Sequence, residues 1–407
     1  MKINQGFKFR LKVNESEAQK LEKYFGCARF IYNHILALKI NDYDEGFSFG
    51  INFYIKLLPD LKNDYPWLRD VDATILQQAL RDLDSAYKKF FNEKKGFPNF
   101  KSKKRDKPSF RVASNINNIR IEKNKIKCGK IGFLRIFKAK ERLARLPKGR
   151  TIKNITISRD SDQYYYISIC VEYEKQVTQS TGGNIVGVDL GIKNNYVVRD
   201  DNQFYHLSNP QAYEKEFEKL KKLQQRLSRK VKGSKNREKA KIKVAKQHFR
   251  IKSIRQDFNH QISKALVDTY DVIVLEDLNL ESMKQKNLGR QVSDLTFYQF
   301  RTFLDYKTKF SGKNLVLVDR YFPSSKLCSS CGSIKKDLTL KDRVYSCSCG
   351  NNTDRDENAS MNLYQAGLCY LANGVVPSTQ DYISCFNLNT AGSAEINACG
   401  DQSLDYR

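Results

Sequence analysis

The sequence predicts an α+β protein of several domains: a helical domain inserted in a small antiparallel β domain, then an α/β domain that carries a metal-binding finger. Three observations support this fold class. Apolar and polar residues alternate over residues 5–13 and again over 110–173, as in half-buried strands. Between these stretches, apolar residues recur at helical spacing. After the polar linker 175–184, apolar strands alternate with long helices, and a cysteine cluster follows.

The balance of charges predicts a polyanionic partner. The 407 residues include 72 Lys and Arg against 45 Asp and Glu, a net charge of +27, which favours salt-sensitive association with nucleic acid. A membrane partner is disfavoured because no apolar run approaches the roughly 18 residues of a spanning helix. The first residues also lack the apolar core of a signal peptide. We therefore expect a nucleic-acid-binding protein with no membrane partner.

The first half of the chain contains both the β domain and the helical domain. Residues 5–13 form a strand. A capping box, formed by Ser16 with Gln19 or by Asn14 with Glu17, then starts a helix over 14–40. A second long helix covers 73–92. The basic stretch 93–110 is punctuated by Gly and Pro, which predicts a loop. The short strands of 110–173 form an antiparallel unit, expected to be a barrel that the first strand joins.

The second half begins with a buried strand, a glycine turn and another strand in IVGVDLGIKNNYVV. A long helical pair follows over 212–270. Its segment 219–255 holds sixteen Lys and Arg against one acidic residue, Glu238. A solvated face is the usual explanation of a charge run, but so one-sided a run would repel itself without counter-charge. We therefore expect it to contact a phosphate backbone. Further buried strands are predicted at 270–279 and 314–322, and the polar tail beyond Gly374 is expected to be poorly ordered.

Four clustered cysteines predict a structural zinc site. Cys328 and Cys331 are separated by two residues, Cys347 and Cys349 by one, and each pair is followed by Gly. Tetrahedral zinc binds four thiolates in turns of this kind, whereas four free thiols would leave a Lys-rich stretch with almost no core. No role is assigned to the remaining cysteines, which are Cys27, Cys128, Cys170, Cys369, Cys385 and Cys399.

Three carboxylates predict a second metal site. Asp189 and Glu276 each follow an apolar strand, where an acid is costly unless it is paired or binds metal. Asp354 and Glu357 fit a capping box for the last helix. Asp356 then lies in the first turn on the apolar face of that helix, so it is the third predicted ligand, with Asp354 as the alternative.

This order of acids, strand-Asp, strand-Glu and helix-Asp, is what a two-metal nuclease of the RNase H class requires. Two divalent ions bound by shared carboxylates activate water and stabilise the leaving oxygen of a phosphodiester. Oxygen ligands suit Mg²⁺ or Mn²⁺. The histidines form no ligand pair at tight spacing and are interpreted as fold or RNA-contact residues; they are His34, His206, His248 and His260.

The quoted motifs also resemble a known family. GVDLGIKN, VLEDLNLESM, FPSSKLCSSCG and DRDENASMNL, with GFPNFKSKK upstream, resemble TnpB, the OrfB-type proteins of insertion sequences that are related to type V CRISPR effectors. The similarity extends from ARFIYNHIL (28–36) to the last predicted helix. It implies a wedge-like β-barrel from 1–13 and 108–176, a helical recognition domain (14–107), a RuvC-like nuclease domain from 182–325 and 352–372, a zinc finger (326–351) and a disordered tail (373–407).

The resemblance implies an RNA-guided DNA endonuclease that cuts beside a short motif in its target. Asp189, Glu276 and Asp356 would be the catalytic acids holding two Mg²⁺ or Mn²⁺ ions, and the clustered cysteines would bind zinc. A guide RNA and target double-stranded DNA are the implied partners of a monomeric ribonucleoprotein, cytoplasmic and nucleoid-associated in a prokaryote. The residues placed to read the DNA motif are Phe49, Gln77, Ser114 and Asn115, for which core or capping roles are equally open.

The basic loop and the basic helices would hold the nucleic-acid backbone. Phe97 and Phe100 could stack on bases, although packing is favoured for both. The predicted backbone contacts are Lys101, Lys103, Lys104, Arg105, Lys222, Arg226, Arg229 and Lys230.

Three alternative functions share this fold. A DNA-binding regulator without catalysis is disfavoured because it would have no reason to keep buried, mutually repelling acids. A transposase acting without RNA is disfavoured because no helix-turn-helix reader is evident and the basic surface exceeds what a short duplex needs. A small type V CRISPR effector has the same chemistry and differs only in the source of its guide.

Overall fold

The computed structural model describes residues 1–114, 119–138, 143–191, 196–208, 210–278, 297–339 and 342–383, without the side chains of 211 and 212. The chain divides into two compact units. One comprises Met1–Gln176 with Lys222–Phe249, and the other comprises Val177–Lys221 with Arg250–Arg407. The domain boundaries given above are finer than this division and stay predictions.

The first unit is built on a seven-stranded antiparallel sheet. Its strands are β1 (Lys2–Lys12), β2 (Ser109–Ala113), β3 (Ile119–Glu122), β4 (Lys125–Cys128), β5 (Phe133–Ile136), β6 (Thr151–Arg159) and β7 (Tyr165–Glu174). The order across the sheet is β2-β6-β7-β1-β5-β4-β3. The first strand therefore lies at the centre, paired with β7 along most of its length and with β5 at Leu11 and Lys12. Among the described residues, no ladder joins the end strands β2 and β3.

Helices between β1 and β2 pack on this sheet. They are α1 (Glu15–Asp44), α2 (Ile51–Lys56), α3 (Leu58–Asp64) and α4 (Ala73–Glu93), with a 3-10 turn at Pro66–Asp70. The predicted capping box starts α1, because the Asn14 side chain accepts from the Glu17 amide while the Glu17 carboxylate accepts from the Asn14 amide. Buried residues of α1, α4 and the sheet form one hydrophobic core. The helical and β parts of this unit are therefore joined by shared packing.

The second unit contains a five-stranded mixed sheet. Its strands are β8 (Ile185–Asp189), β9 (Tyr196–Arg199), β10 (Phe204–Leu207), β11 (Val272–Glu276) and β12 (Asn314–Val318), in the order β10-β9-β8-β11-β12. Strands β8, β11 and β12 are parallel, whereas β9 and β10 are antiparallel to their neighbours. The continuous apolar sequences of β8 and β11 fit this position, because helices or other strands cover both faces of a parallel sheet.

The remaining helices are α5 (Gln211–Ser228), α6 (Lys235–Thr269), α7 (Phe297–Ser311) and α8 (Arg355–Asn373). Helices α5 and α6 each run from one compact unit into the other along the chain. Between β12 and α8, the short hairpin of β13 (Val344–Ser346) and β14 (Asn352–Asp354) carries the second cysteine pair. No helix in the described part of the chain is long and apolar enough to cross a membrane.

Two glycines let α8 approach the sheet closely. A Cβ on Gly187 in β8 would collide with the backbone of Ser360 and Tyr364, and would lie 2.9 Å from the carbonyl carbon of Leu363. A Cβ on Gly367 in α8 would lie 2.8 Å from the Val274 side chain. The helix that carries Asp356 therefore lies directly on the strand that ends at Asp189.

The structure differs from the sequence predictions at three places. The alternating segment 119–128, predicted as one short strand, forms a tight hairpin of β3 and β4. Helix α7 was missed, although its buried residues Phe297, Phe300 and Leu304 follow helical spacing. The segment predicted as a poorly ordered tail includes a helical stretch at 379–383, where Tyr382 is fully buried. The rest of that tail, 384–407, lies outside the described residues.

Candidate functional site

Asp189 and Glu276 end two neighbouring parallel strands. Val188 of β8 is paired with Leu275 of β11, and each acid is the next residue in its strand. The residues that precede the acids in the two strands, 185–188 and 272–275, are buried, whereas both acids are half-buried. Since the carboxyl ends of parallel strands meet at one edge of a sheet, the two acids open onto the same edge.

Asp356 reaches this edge from the first turn of α8. Asp354 is the N-cap, and its carboxylate accepts hydrogen bonds from the amides of Asp356 and Glu357. Asp356 itself is half-buried, and Ala359 and Leu363 on the same helix face are fully buried. Asp356 therefore lies on the buried face of α8 and is directed inward, whereas Asp354 is exposed.

The three carboxylates interact electrostatically. Burial raises the pKa of Asp189 well above its ordinary value, and the charges of Asp356 and Glu276 raise it further. Burial also raises the pKa of Glu276 to about 7, against a hydrogen bond from Ser324 that lowers it. The pKa of Asp356 is raised by burial and then by the charge of Asp354. Buried acids that repel one another are an arrangement that divalent cations stabilise.

Two arginines partly offset this negative charge. Arg355 lowers the pKa of all three acids, and Arg343 lowers that of Asp356. The Arg355 guanidinium is anchored by donating to the Thr339 carbonyl oxygen at 3.0 Å. This anchoring keeps its charge beside the carboxylates.

The donor chemistry of this edge fits hard divalent cations. Three carboxylates supply oxygen ligands of the type that Mg²⁺ and Mn²⁺ prefer, with no thiol or imidazole among them. Among the described residues, only the four cysteines have ligand atoms that all lie within 4.8 Å of one another. The three carboxylates therefore do not each place an oxygen atom within 4.8 Å of the other two.

Glu357 does not complete the predicted capping box. Its carboxylate lies 2.9 Å from the His206 Nε2 and accepts from the Thr353 hydroxyl at 3.3 Å. Asp354 also ends strand β14, opposite Val344, so the turn before the helix is fixed by the hairpin. The one-sided cap formed by Asp354 replaces the predicted reciprocal pair.

The four clustered cysteines form the second candidate centre. The Sγ atoms of Cys328 and Cys349 are 3.6 Å apart, as are those of Cys331 and Cys347. Four sulfurs around one zinc ion at about 2.3 Å would be separated by about 3.8 Å. The Asn351 amide nitrogen lies 3.5 Å from the Cys328 sulfur. The spacing, the thiol chemistry and this outer hydrogen bond all fit one tetrahedral zinc ion.

All of the predicted backbone-contact residues except Lys101 are exposed. Lys222, Arg226, Arg229 and Lys230 are exposed around the end of α5, and none forms an ion pair with another described residue. Lys103, Lys104 and Arg105 are also exposed. Lys101 differs: its ammonium lies 3.8 Å from the centre of the Tyr32 ring, and burial lowers its pKa. Its cation–π contact gives Lys101 a packing role in this structure.

The predicted motif-reading residues have mixed environments. Phe49 is half-buried and stacks on Phe53, with ring centres 4.2 Å apart. Gln77 in α4 is half-buried, and Ser114 donates its amide to the Lys153 carbonyl oxygen. Asn115 lies outside the described residues. Phe97 and Phe100 are roughly half-exposed, and Phe97 packs edge-on against Tyr87 and Phe90.

Sequence reasoning missed two sets of residues beside the carboxylates. Ser324 donates its hydroxyl to Glu276 at 3.5 Å. Asp277, next to Glu276, forms ion pairs with Arg301 and Arg320. Ser324 falls in the FPSSK segment that carried the resemblance, so a signal was present, whereas pairing of Asp277 with distant arginines leaves no trace in local spacing.

This chain is similar to known proteins over nearly its whole length. A family model described as "Probable transposase" (OrfB_IS605) matches residues 168–287. A protein of Streptomyces pristinaespiralis named "Putative RNA-guided DNA endonuclease" is 33% identical over 381 residues, which cover 91% of each chain. The Escherichia coli (strain K12) protein named "Putative RNA-guided DNA endonuclease InsQ" is 30% identical, covering 92% of this chain and 95% of that one. The chain belongs to the TnpB family, the OrfB type.

A solved structure shares the fold of this chain. The chain superposes on Cas12f1, solved by cryo-EM with sgRNA and target DNA, with a TM-score of 0.58 over 89% of this chain and 99% of that chain. At 13% identity this likeness shows a shared fold. Two more family models match this TnpB-family chain, "Cas12f1-like, TNB domain" at 297–363 and "Helix-turn-helix domain" at 1–47. The latter region folds as strand β1 and the single long helix α1.

Proposed function

We propose that this TnpB-family protein is an RNA-guided DNA endonuclease of an insertion sequence, which cleaves target DNA beside a short motif. The observation that carries the proposal is the convergence of Asp189, Glu276 and Asp356 on one sheet edge, where their charges interact. The full-length relatives named as RNA-guided DNA endonucleases support the same activity. The net charge of +27 supports a nucleic-acid partner.

The three acids would hold two Mg²⁺ or Mn²⁺ ions. When bound, these ions would supply Lewis-acid activation of water and stabilisation of the leaving oxygen. The chain's own contribution is to fix Asp189 and Glu276 on adjacent strands and Asp356 on a helix that is packed directly against them. Ser324 orients Glu276, and Arg355 limits the repulsion among the carboxylates. We assign the four cysteines to one structural zinc ion.

The finer domain assignments belong to this proposal. The strand order of the second unit and its acids at strand ends support a RuvC-like nuclease domain, interrupted by a zinc finger. The seven-stranded sheet would be the wedge-like barrel and α1–α4 the recognition helices. Guide RNA and heteroduplex would lie on the exposed cations of the basic loop and of the α5 end, with Phe49, Gln77, Ser114 and Asn115 as candidate readers of the DNA motif.

A small type V CRISPR effector is the second candidate. The match of residues 297–363 to a Cas12f1-like family model favours it, as does the fold shared with Cas12f1. The chemistry of the carboxylates would be the same in both cases. The two candidates differ in the source of the guide RNA.

The test is to purify the protein from its host, sequence the RNA that co-purifies and offer matched duplex DNA with Mg²⁺. We expect RNA-dependent cleavage, a loss of at least about 1,000-fold in Asp189→Ala with DNA binding retained, and a larger loss in Asp356→Ala than in Asp354→Ala. RNA encoded beside a transposon end supports the main proposal, and repeat-derived RNA supports the CRISPR alternative. Cleavage without RNA, or guided binding without cleavage, would overturn both.

A further inference from the structure

One face of helix α8 carries three amide side chains that bind a single stretch of backbone. Asn358, Asn362 and Gln365 are spaced at i, i+4 and i+7 and face residues 324–329. Asn358 and Asn362 are fully buried. Amide groups are costly to bury unless hydrogen bonds satisfy them, so their placement here indicates a structural requirement. We call these three residues the amide ladder.

Each member of the amide ladder has a partner in the 324–329 backbone. Asn362 donates to the carbonyl oxygens of Ser324 at 2.7 Å and Leu327 at 2.8 Å. Asn358 donates to the Leu327 oxygen at 2.7 Å and accepts from the Ser329 amide at 3.0 Å. These bonds fix both the distance and the register of the segment along the helix.

Gln365 and Tyr382 complete the network. Gln365 donates to the Ser329 carbonyl oxygen at 3.2 Å. The single hydroxyl hydrogen of Tyr382 is shared between the Asn362 Oδ1 at 3.0 Å and the Gln365 Oε1 at 2.5 Å. Both ends of the Asn362 amide are thus bound, which holds the side chain in one orientation.

The 324–329 segment also touches both candidate metal centres. At one end, the Ser324 hydroxyl donates to Glu276. At the other, Cys328 is buried within the cysteine cluster. The amide ladder begins two residues after Asp356 on the same helix. One short backbone segment therefore connects Glu276, the helix of Asp356 and a thiol of the second centre.

We propose that Asn358 and Asn362 are positioning residues for the nuclease centre. By binding the 324–329 segment to α8, they keep Glu276 and Asp356 at the spacing that divalent ions require. They also couple the position of Glu276 to that of Cys328, which bound zinc would fix. Zinc in the cysteine cluster then raises the affinity of the carboxylates for Mg²⁺ or Mn²⁺. The inference rests on the proposed two-metal nuclease function.

Buried hydrogen bonds of this kind fix the position of the 324–329 segment, which apolar packing alone would not do. Leucine side chains at 358 and 362 would cover the same area without fixing the register of 324–329. Outer contacts that orient metal ligands typically change metal affinity by about 10-fold to 100-fold when removed. The expected signature is therefore weaker divalent-ion binding with zinc still present.

The experiment compares the full-length ribonucleoprotein with Asn358→Ala and Asn362→Ala variants. Mn²⁺ binding is measured by EPR titration, zinc content by a colorimetric assay after denaturation, and cleavage as a function of Mg²⁺ concentration. Asn259→Ala is the matched control, since Asn259 is a buried asparagine of the same unit that accepts from Tyr196 rather than contacting 324–329.

We expect both ladder variants to keep one zinc ion, to bind Mn²⁺ about tenfold more weakly and to recover cleavage at high Mg²⁺, while Asn259→Ala binds Mn²⁺ like the parent protein. Unchanged Mn²⁺ affinity in both variants, or loss of zinc from them, would overturn the inference. Should Asn362→Ala fail to fold, Asn358→Ala decides alone, because it removes two hydrogen bonds rather than three. A parent protein that neither binds Mn²⁺ nor cuts would instead refute the nuclease function.

Discussion

Gly187 lies directly against the backbone of helix α8 at Tyr364, with no room for a side chain between the strand and the helix. Two residues later the strand ends at Asp189, and two turns earlier the helix carries Asp356. The absence of a Cβ at Gly187 thus sets how deeply Asp356 reaches toward the sheet. Main-chain atoms form the contact, so it cannot be relieved by a rotamer change.

Replacing Gly187 by alanine tests this relationship. The new methyl group would displace α8, and we expect the free energy of unfolding to fall by about 1–3 kcal/mol. Because a shift of about 1 Å in a catalytic group can lower the rate about 100-fold, cleavage should fall further than stability alone explains. Chemical denaturation and cleavage kinetics measure the two effects.

Gly26→Ala is the matched control for this substitution. Gly26 lies within helix α1, where a Cβ would meet nothing within 4 Å. Alanine in a helix interior should be neutral or stabilising by up to about 1 kcal/mol. Equal stability losses in the two variants would contradict the role assigned to Gly187.

The burial of the Glu276 carboxylate predicts a pH-dependent stability. The pKa of Glu276 is raised to about 7 in the folded protein from an ordinary value of 4.5, so the folded state binds more protons than the unfolded state between these values. With no added Mg²⁺, the free energy of unfolding should therefore decrease as pH rises from about 4.5 to 7. Denaturation curves across this range measure the slope.

Glu276→Gln should remove much of this pH dependence. The neutral amide relieves the desolvated charge, so the variant without added Mg²⁺ should be more stable than the parent at pH 8 by about 1–3 kcal/mol. It should also be inactive in cleavage. Glu218→Gln on the exposed surface of α5 is the control and should leave the slope unchanged. A less stable Glu276→Gln protein at pH 8 would argue against a destabilising buried charge at Glu276.

The cysteine cluster predicts metal-dependent folding of its hairpin. Buried apolar side chains in this region are few, with Cys328, Leu338 and Tyr345 forming one small cluster. Zinc binding should therefore supply much of the local stability. We expect Cys347→Ser to lose zinc and to expose the hairpin to proteolysis, while Cys170→Ser in the first unit keeps one zinc ion per chain. Zinc analysis and limited proteolysis distinguish the two, and retained zinc in Cys347→Ser would count against the site.

The sequence predicted those site features that depend on local pattern. An acid after four apolar residues marks Asp189 and Glu276, and close spacing marks the cysteines. The inward direction of Asp356 follows from helix geometry alone. The family assignment from quoted motifs was confirmed by full-length relatives.

What the sequence did not predict depends on partners far away in the chain. Glu357 has the spacing of a capping residue, yet it faces His206 from β10. Lys101 is one of several basic loop residues and is distinguished only by the Tyr32 ring beneath it. Tyr382 lies in a polar tail but is buried against Asn362. Local spacing carries no information about such long-range contacts.

The exposed cations at the end of α5 predict the salt dependence of nucleic-acid binding. Neutralising Lys222, Arg226, Arg229 and Lys230 with Gln removes four charges that have no carboxylate partner among the described residues. If each contacts a phosphate, the slope of log affinity against log salt should become shallower by about 3. Filter binding of the co-purified RNA at several salt concentrations measures this slope.

A charge-matched control separates local contact from net charge. Lys23, Lys88, Lys264 and Lys309 each already form an ion pair with an aspartate, so replacing them with Gln removes the same number of positive charges from neutralised sites. This control should bind RNA with nearly the slope of the parent protein. Equal slopes for the two fourfold variants would indicate that overall charge, rather than the α5 surface, holds the RNA.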